Sequence, residues 1–477
     1  MLGGCPTTDL SSWGGQKKPQ TQAEPPPPKA APKESVTARV LPAPKVESQQ
    51  LPTPGAEPPP AEATAIPPES SVPPELLPDG SPRAIGEQVT LIPPPAAPVV
   101  PMGVLKVGLL LPLSGPTANI GNAMLNAAQL AMFEIADKSF ALLPVDTKGS
   151  PDGAMQAARQ VIGQGVQLIL GPLFAAEAKA IAPLARSSGV NVVSFSTDRT
   201  VAGDGTYVMG VLPNAQVERI VAHAVSKGVV NFAALAPANE YGRIVVEEMR
   251  SAVTAQGGTV TDIEYYDPTA SDHTAVVKKL ARYESRRQAL IVERRKLAAK
   301  SDDISRQALA RLTRVETLGE VPFDALLVPD EGGRMKAVAA LLPYYDIDPA
   351  RVHMLGTMLW EDPSLSTEPA LIGGWYAAPP PGERLDFEGR YAKVYGSKPP
   401  RIASLGYDAV ALAATLSMMG DVGPRGLTVT NGFAGVDGIF RFTSNGLVER
   451  GLAVMEVQRG QHKTLSPAPQ NFVKGTN

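Results

Sequence analysis

Residues 104–135, VLKVGLLLPLSGPTANIGNAMLNAAQLAMFEI, constrain the fold more than any other stretch of the chain. An apolar run over 107–111 stops at Pro112 and a Ser114-Gly115-Pro116 turn. A run that short, bounded by Pro and Gly, reads as a strand buried on both faces. Ile120, Met124, Leu125, Ala128, Met132 and Ile135 then recur at spacings of three and four, which lays one apolar helical stripe against a sheet. Strand, turn and helix in this order open a parallel α/β sheet, and such sheets place ligands at the carboxyl ends of their strands. Helix-start N–H groups and the Ser114 hydroxyl suit an anion there. Taken alone, the unit fits any α/β domain.

The rhythm continues. Strand segments are expected at 141–146, 167–170 and 191–195, alternating with helices at 153–162 and 175–186. A strand at 207–213 runs out into Asn214, where the βα pattern restarts with strand 232–235, helix 244–255 and strand 259–265. It resumes with strand 323–328, helix 335–342 and strand 352–355. Gly374-Trp-Tyr-Ala377 reads as a second crossover, followed by helices 387–395 and 402–418. A Gly-rich stretch then leads to strands 439–442 and 452–457, joined through Ser444-Asn-Gly446, a hairpin turn signal. Residues 103–213 with 379–430 are thus expected to form one lobe, and 214–378 with 431–461 the other. Residues 462–477 are left as a tail.

These elements resemble the type I periplasmic binding proteins of the Leu/Ile/Val-binding family. The resemblance is carried by Gly108-Leu-Leu-Leu-Pro-Leu-Ser-Gly-Pro116, by Gly121 and the Ala-rich helix ending in Glu134, and by Tyr241-Gly242 before a helix. It covers about residues 104–461 and implies a two-lobed α/β fold of doubly wound, mostly parallel sheets. It implies a cleft between the lobes lined by Ser114, Phe174, Ala175, Ser196, Thr197, Tyr241 and Trp360. Receptors of this family hold an amino acid's carboxylate with small hydroxyls and backbone N–H groups, and its ammonium with an acid. Ser196, Thr197 and Tyr241 keep their places. Phe174-Ala175 stands where a Ser commonly follows the third strand, and Thr357-Met358 stands in the place of the acid. Ordinary amino-acid binding is therefore in question, unless Asp330 or Glu361 substitutes.

Trp360, Tyr376 and the Ser404-Leu-Gly-Tyr-Asp408 segment resemble a branch of this fold, the penicillin-binding protein activator lipoproteins. Two features at the front of the chain agree. Met1-Leu-Gly-Gly-Cys5 resembles a lipobox over residues 1–15, with Cys5, the single cysteine, as the lipidated residue. No charged segment and apolar core of a signal peptide precede it, which leaves an upstream start or a chance match. Pro6, in a place where Asp would retain a lipoprotein in the inner membrane, points to the outer membrane. Residues 16–101 are a Pro-rich segment expected to be a disordered tether. Twenty-five of the 48 prolines lie in the first 101 residues, and no aromatic follows Trp13 before the folded part. At about 3.1 Å per residue such a tether extends toward roughly 260 Å.

The remaining chemistry narrows the function. A net charge of −3 argues against nucleic acid as a partner. One cysteine allows no intramolecular disulfide or thiolate cluster, and the four histidines have no metal-ligand spacing, so neither a metal nor a cofactor is expected. No phosphate loop, nucleophile elbow or paired acid setting is present, so no catalytic residue is assigned and the chain is read as a non-enzyme. Residues 282–314 stand apart, with ten basic and four acidic residues and a helical stripe of Leu290, Ile291, Leu297, Ile304, Leu309 and Leu312. They read as an inserted basic helical hairpin, either a solvated face or a docking surface. The expected partners are a small molecule in the cleft, a cell-wall synthase or an ABC permease, and a membrane reached through a lipid anchor. The expected location is the periplasm.

Overall fold

The computed structural model describes residues 104–135 and 140–472. Cys5, the lipobox and the 16–101 segment lie outside them. The first lobe opens with strand β1 (Leu105–Leu111), helix α1 (Ala118–Ile135), β2 (Phe140–Asp146), α2 (Pro151–Gly163), β3 (Leu168–Leu170), α3 (Ala175–Ser187), β4 (Asn191–Ser194) and β5 (Thr206–Val208). All pairings in its five-stranded sheet are parallel, in the order β2-β1-β3-β4-β5. In β1 only Lys106 is exposed, as expected of a strand with helices on both faces.

At 209–212 the chain crosses to the second lobe. There follow α4 (Pro213–Ser226), β6 (Asn231–Pro237), α5 (Glu240–Ala255), β7 (Thr259–Tyr266), α6 (Thr274–Leu280), α7 (Tyr283–Ala298), α8 (Asp303–Leu312), β8 (Ala325–Leu327), α9 (Gly332–Leu341), β9 (His353–Gly356) and β10 (Trp375–Ala378). Helices α10 (Pro381–Tyr395), α11 (Ala403–Met419) and α12 (Pro424–Leu427) return to the first lobe. Small residues of α1 (Ala123, Ala127, Ala128, Ala131) and of α11 (Ala403, Ala409, Ala413) share its core with Leu109 and Leu111 of β1.

The end of the chain departs from the sequence reading. Strand β12 (Gly438–Phe442) pairs with β11 (Phe433–Gly435) and, through the Ser444-Asn-Gly446 turn, with β13 (Val448–Arg450), not with 452–457. The tight turn pairs the residues that follow it at once. This small sheet belongs to the first lobe, although 431–461 was expected in the second. Phe433, Phe440, Phe442 and Val448 enter the first core, and the Phe442 ring meets Tyr207 edge-on at 5.4 Å. Only then does the chain cross again. Strand β14 (Ala453–Gln458) pairs antiparallel with β10, and β15 (Gln461–Ser466) with β14, so six residues read as tail or domain end form an edge strand. The second sheet runs β15-β14-β10-β9-β8-β6-β7, parallel from β7 to β10. Among the described residues, no helix is long and apolar enough to cross a membrane.

Candidate functional site

Strand order locates the candidate site. In the first sheet the order reverses between β1 and β3, and in the second between β6 and β8. Open α/β sheets bind ligands at such switch points, outside the carboxyl ends of the strands. Ser114 follows β1, Phe174 follows β3, Tyr241 follows β6 and Asp330 follows β8, so each flanks a switch point.

The first-lobe turn does hold an anion, and it is the chain's own. Asp146, at the end of β2, accepts the N–H groups of Leu113 (2.8 Å), Ser114 (3.2 Å) and Lys148 (2.8 Å), and the Ser114 hydroxyl at 2.6 Å. Burial opposes ionisation of Asp146, but these hydrogen bonds outweigh it and hold its carboxyl below the usual range. Phe174 is half-buried with its N–H on Glu177 Oε2 at 3.2 Å, and Ala175 opens α3. Burial pushes the Glu177 carboxyl up, against hydrogen bonds from Thr147 and the turn.

Ser196 is buried, and its hydroxyl accepts the Asp198 N–H at 3.0 Å. Thr197 is exposed. It lines a groove of about 440 Å³ whose walls include Lys179 and Arg199 from one lobe and Glu240 and Glu248 from the other. Arg199 spans that groove to Glu248 at 3.0 Å.

In the second lobe, the Tyr241 hydroxyl lies 2.9 Å from the Thr357 hydroxyl. Burial pushes the Tyr241 phenol up to about 12, although the Thr357 hydrogen bond works the other way. Asn239 caps the helix that carries Tyr241 by accepting the Gly242 N–H at 2.8 Å. A Cβ at Gly242 would fall 2.1 Å from the Pro237 carbonyl oxygen, so this close turn requires glycine after Tyr241.

Trp360 is a correction. It is fully buried in the second-lobe core, with Nε1 on the Val328 carbonyl at 3.1 Å. Its ring lies over Gly356, where a Cβ would come within 2.2 Å of it. The flanking glycines, Gly356 and Gly374, were the signal for this burial. The structure therefore places Ser114 and Phe174 at one switch point and Tyr241 at the other, with Thr197 at the groove between lobes. Trp360 joins none of them.

Neither substitute acid is free. Asp330 is buried and accepts the Tyr266 hydroxyl, the Glu331 N–H at 2.8 Å and the Arg334 guanidinium. Glu361, on the second lobe, receives Arg384 at 3.2 Å and Arg401 at 2.7 Å from the first. Arg401 continues to Asp437 at 2.9 Å, and Ser404 donates to Asp437 at 2.7 Å. Beneath them Asp408 accepts the Val436 N–H at 2.7 Å. Burial and the Asp437 charge push the Asp408 carboxyl up to about 7, while Asp437, despite its burial, is held low by Arg401 and Arg450. Sequence reading quoted the Ser404–Asp408 segment but not this network, whose members lie on separate elements.

The comparisons with known proteins agree with this architecture. Residues 104–287 match the model of a periplasmic binding protein family. That stretch is similar to a periplasmic binding protein domain. The domain is 25% identical over 187 residues to the Leu/Ile/Val-binding protein BraC3 of Rhizobium johnstonii, covering 37% of this chain and 51% of that protein. The chain spans about half the length of the curated relatives it matches. Among solved structures, a putative branched-chain amino acid ABC transporter protein from Rhodospirillum rubrum superposes with a TM-score of 0.60 at 18% identity, covering 76% of this chain and all of that one. Full-length LpoA from Haemophilus influenzae superposes with a TM-score of 0.53 at 16% identity, covering 76% of this chain and 59% of that one. The fold is the two-lobed type I periplasmic binding protein fold.

Proposed function

We propose that this protein is a non-catalytic envelope lipoprotein, anchored through Cys5 and carried on the 16–101 tether, that acts by contacting another protein. Its expected role is that of a penicillin-binding protein activator in peptidoglycan synthesis. The observation that carries this reading is the pairing of Glu361 with Arg384 and Arg401 and of Asp330 with Arg334. An amino acid's ammonium would have to displace a guanidinium from either acid, and its carboxylate would meet Asp146 at the Ser114 turn. Desolvating a charge without a partner costs several kcal/mol. The basic α7–α8 hairpin supplies a surface for a partner instead. Arg287, Arg295, Lys300, Arg311 and Arg314 are exposed there, and among the described residues none is ion-paired.

A second reading is a receptor of an ABC importer for a solute other than an α-amino acid. The open groove beside Thr197, with Lys179 and Arg199 on its wall, favours it. Calorimetric titration with leucine, isoleucine and valine, beside binding of the full chain to a purified penicillin-binding protein, separates the two. Saturable leucine binding without binding to the synthase rejects the activator reading.

A further inference from the structure

Among the described residues, two groups of ion pairs cross between the lobes, and they differ in burial. Arg199 of the first lobe meets Glu248 of the second at 3.0 Å, with 53% of the Arg199 side chain exposed. Such a pair is screened by salt and contributes little. Glu361 of the second lobe meets Arg384 at 3.2 Å and Arg401 at 2.7 Å, and the Glu361 and Arg384 side chains are each only 14% exposed. Glu361 precedes β10 and Arg384 lies in the first turn of α10, so this second contact flanks the crossing at 379–380.

Both carboxylate oxygens of Glu361 are used. Oε1 accepts Nη2 of Arg384, and Oε2 accepts Nε of Arg401. The first lobe already fixes the two guanidiniums. Arg384 donates Nη1 to Glu388 at 2.6 Å, one turn further along α10. Arg401 donates Nη1 to the Ser404 hydroxyl at 2.9 Å and pairs with Asp437 at 2.9 Å. Asp437 is fully buried, yet Arg401 and Arg450 hold its carboxyl low, so this anchor stays charged. The second-lobe end is fixed as well, because Glu361 follows Trp360, whose Nε1 donates to the Val328 carbonyl inside that core. Groups held in place before they meet lose little freedom on meeting, and charge-assisted hydrogen bonds are the strong ones.

We propose that Glu361 is a clamp that holds the two lobes in one relative orientation through the protein's own charges. In a hinge that closes around a ligand, the ligand supplies the contacts that favour the closed state. Here a carboxylate of one lobe supplies them to two arginines of the other. A partner then meets a preformed surface that includes both lobes, and the cleft is a fixed groove. The clamp concerns the crossing alone, so it stands or falls separately from the activator reading.

The test uses the full chain carrying Cys5→Ser, with spin labels on Gln160→Cys of α2 and Arg250→Cys of α5, exposed positions on the first and second lobes. Pulsed electron-spin distance measurement reads the separation of the lobes. A single narrow distance distribution is expected. Glu361→Gln removes the charge that crosses between the lobes and leaves the Arg384–Glu388 and Arg401–Asp437 pairs in place. It is expected to lose the narrow distribution to broader and longer distances. Arg199→Gln is expected to leave the distribution unchanged. A broad distribution in the parent protein overturns the proposal, as does a Glu361→Gln distribution that matches the parent, or an equal shift from Arg199→Gln. If Glu361→Gln does not fold, Arg384→Gln decides. It takes away one of the two donors and is expected to broaden the distribution, and an unchanged distribution overturns the proposal.

Discussion

The Ser114 hydroxyl donates to the Asp146 carboxylate at 2.6 Å, in the turn that would otherwise meet a ligand's carboxylate. The same motif can serve a receptor or close upon itself, and here an internal anion closes it. The second lobe repeats the arrangement, because Tyr241 spends its hydroxyl on Thr357 and Asp330 its carboxylate on Arg334 and Tyr266. A cleft whose polar groups are satisfied in the absence of ligand has little left to gain from an amino acid.

Asp146→Ala is expected to destabilise the protein by about 1–3 kcal/mol, since three N–H groups and a hydroxyl lose one acceptor, with exposure keeping the value toward the lower end. Denaturant unfolding measures it. The pH dependence has a fixed sign. The folded carboxyl titrates below its unfolded value of about 3.9, so its contribution is present above that pH and lost as pH falls through the folded pKa. An unchanged midpoint in the variant would show that the Asp146 contacts contribute nothing to stability.

Trp360→Ala is expected to cost about 3–5 kcal/mol, the range for emptying an aromatic core site. Tyr241→Phe removes a single hydrogen bond and is expected to cost about 1 kcal/mol. Thermal melting of the two variants ranks them. A Trp360 variant as stable as wild type would return this side chain to the cleft.

What the sequence made legible follows from periodicity. Apolar runs such as 107–111 and stripes such as that of α1 depend on local spacing, so the order of α/β elements could be read, and the type I fold followed from their resemblance to the Leu/Ile/Val-binding family. Tyr241 was named because Tyr241-Gly242 before a helix matches the pattern of the resembled family, and it does lie in the first turn of α5. Trp360 was misplaced because position after a strand does not tell a side chain aimed at the cleft from one folded back over Gly356. The Glu361–Arg401–Asp437 chain joins residues 36 and 40 positions apart on separate elements, and no spacing rule connects them. The β12–β13 pairing was missed because β13, Val-Glu-Arg over Val448–Arg450, is too short and polar to read as a strand, whereas the apolar run that follows it reads as one.

Asp408 gives the second pH prediction, with the opposite sign to Asp146. Its folded carboxyl is pushed up to about 7, against an unfolded value of about 3.9. The folded state therefore holds this proton more tightly. The resulting stability is fully present below the unfolded value and is lost as pH rises toward the folded one. Asp408→Asn is expected to flatten the stability profile between about pH 4 and 7. Melts across that window check it, and a variant profile that keeps the wild-type slope assigns the slope to other groups.

The arginines of the α7–α8 hairpin divide into two classes. Arg286 and Arg294 are half-buried and hydrogen-bonded to the chain that follows α7. Arg286 donates to the Gly319 carbonyl at 2.6 Å and to Thr317 at 2.9 Å, with Asp346 at 3.4 Å. Arg294 donates to the carbonyls of Leu312 and Val315 at 2.6 and 2.8 Å, holding the end of α8 against α7. Reversal of either would bury an unpaired acid among carbonyl oxygens, so Arg286→Glu and Arg294→Glu are each expected to cost about 3 kcal/mol or more. Arg287, Arg295 and Arg311 are exposed, and among the described residues none makes an ion pair. Their reversal to Glu is expected to move stability by no more than about 0.5 kcal/mol each. If the hairpin docks an acidic partner, the same three reversals should slow association and remove its salt dependence, because exposed charges act on encounter rate. Melting curves and association rates at two ionic strengths test both halves. A triple variant with wild-type stability and wild-type association would leave these arginines as solvated surface.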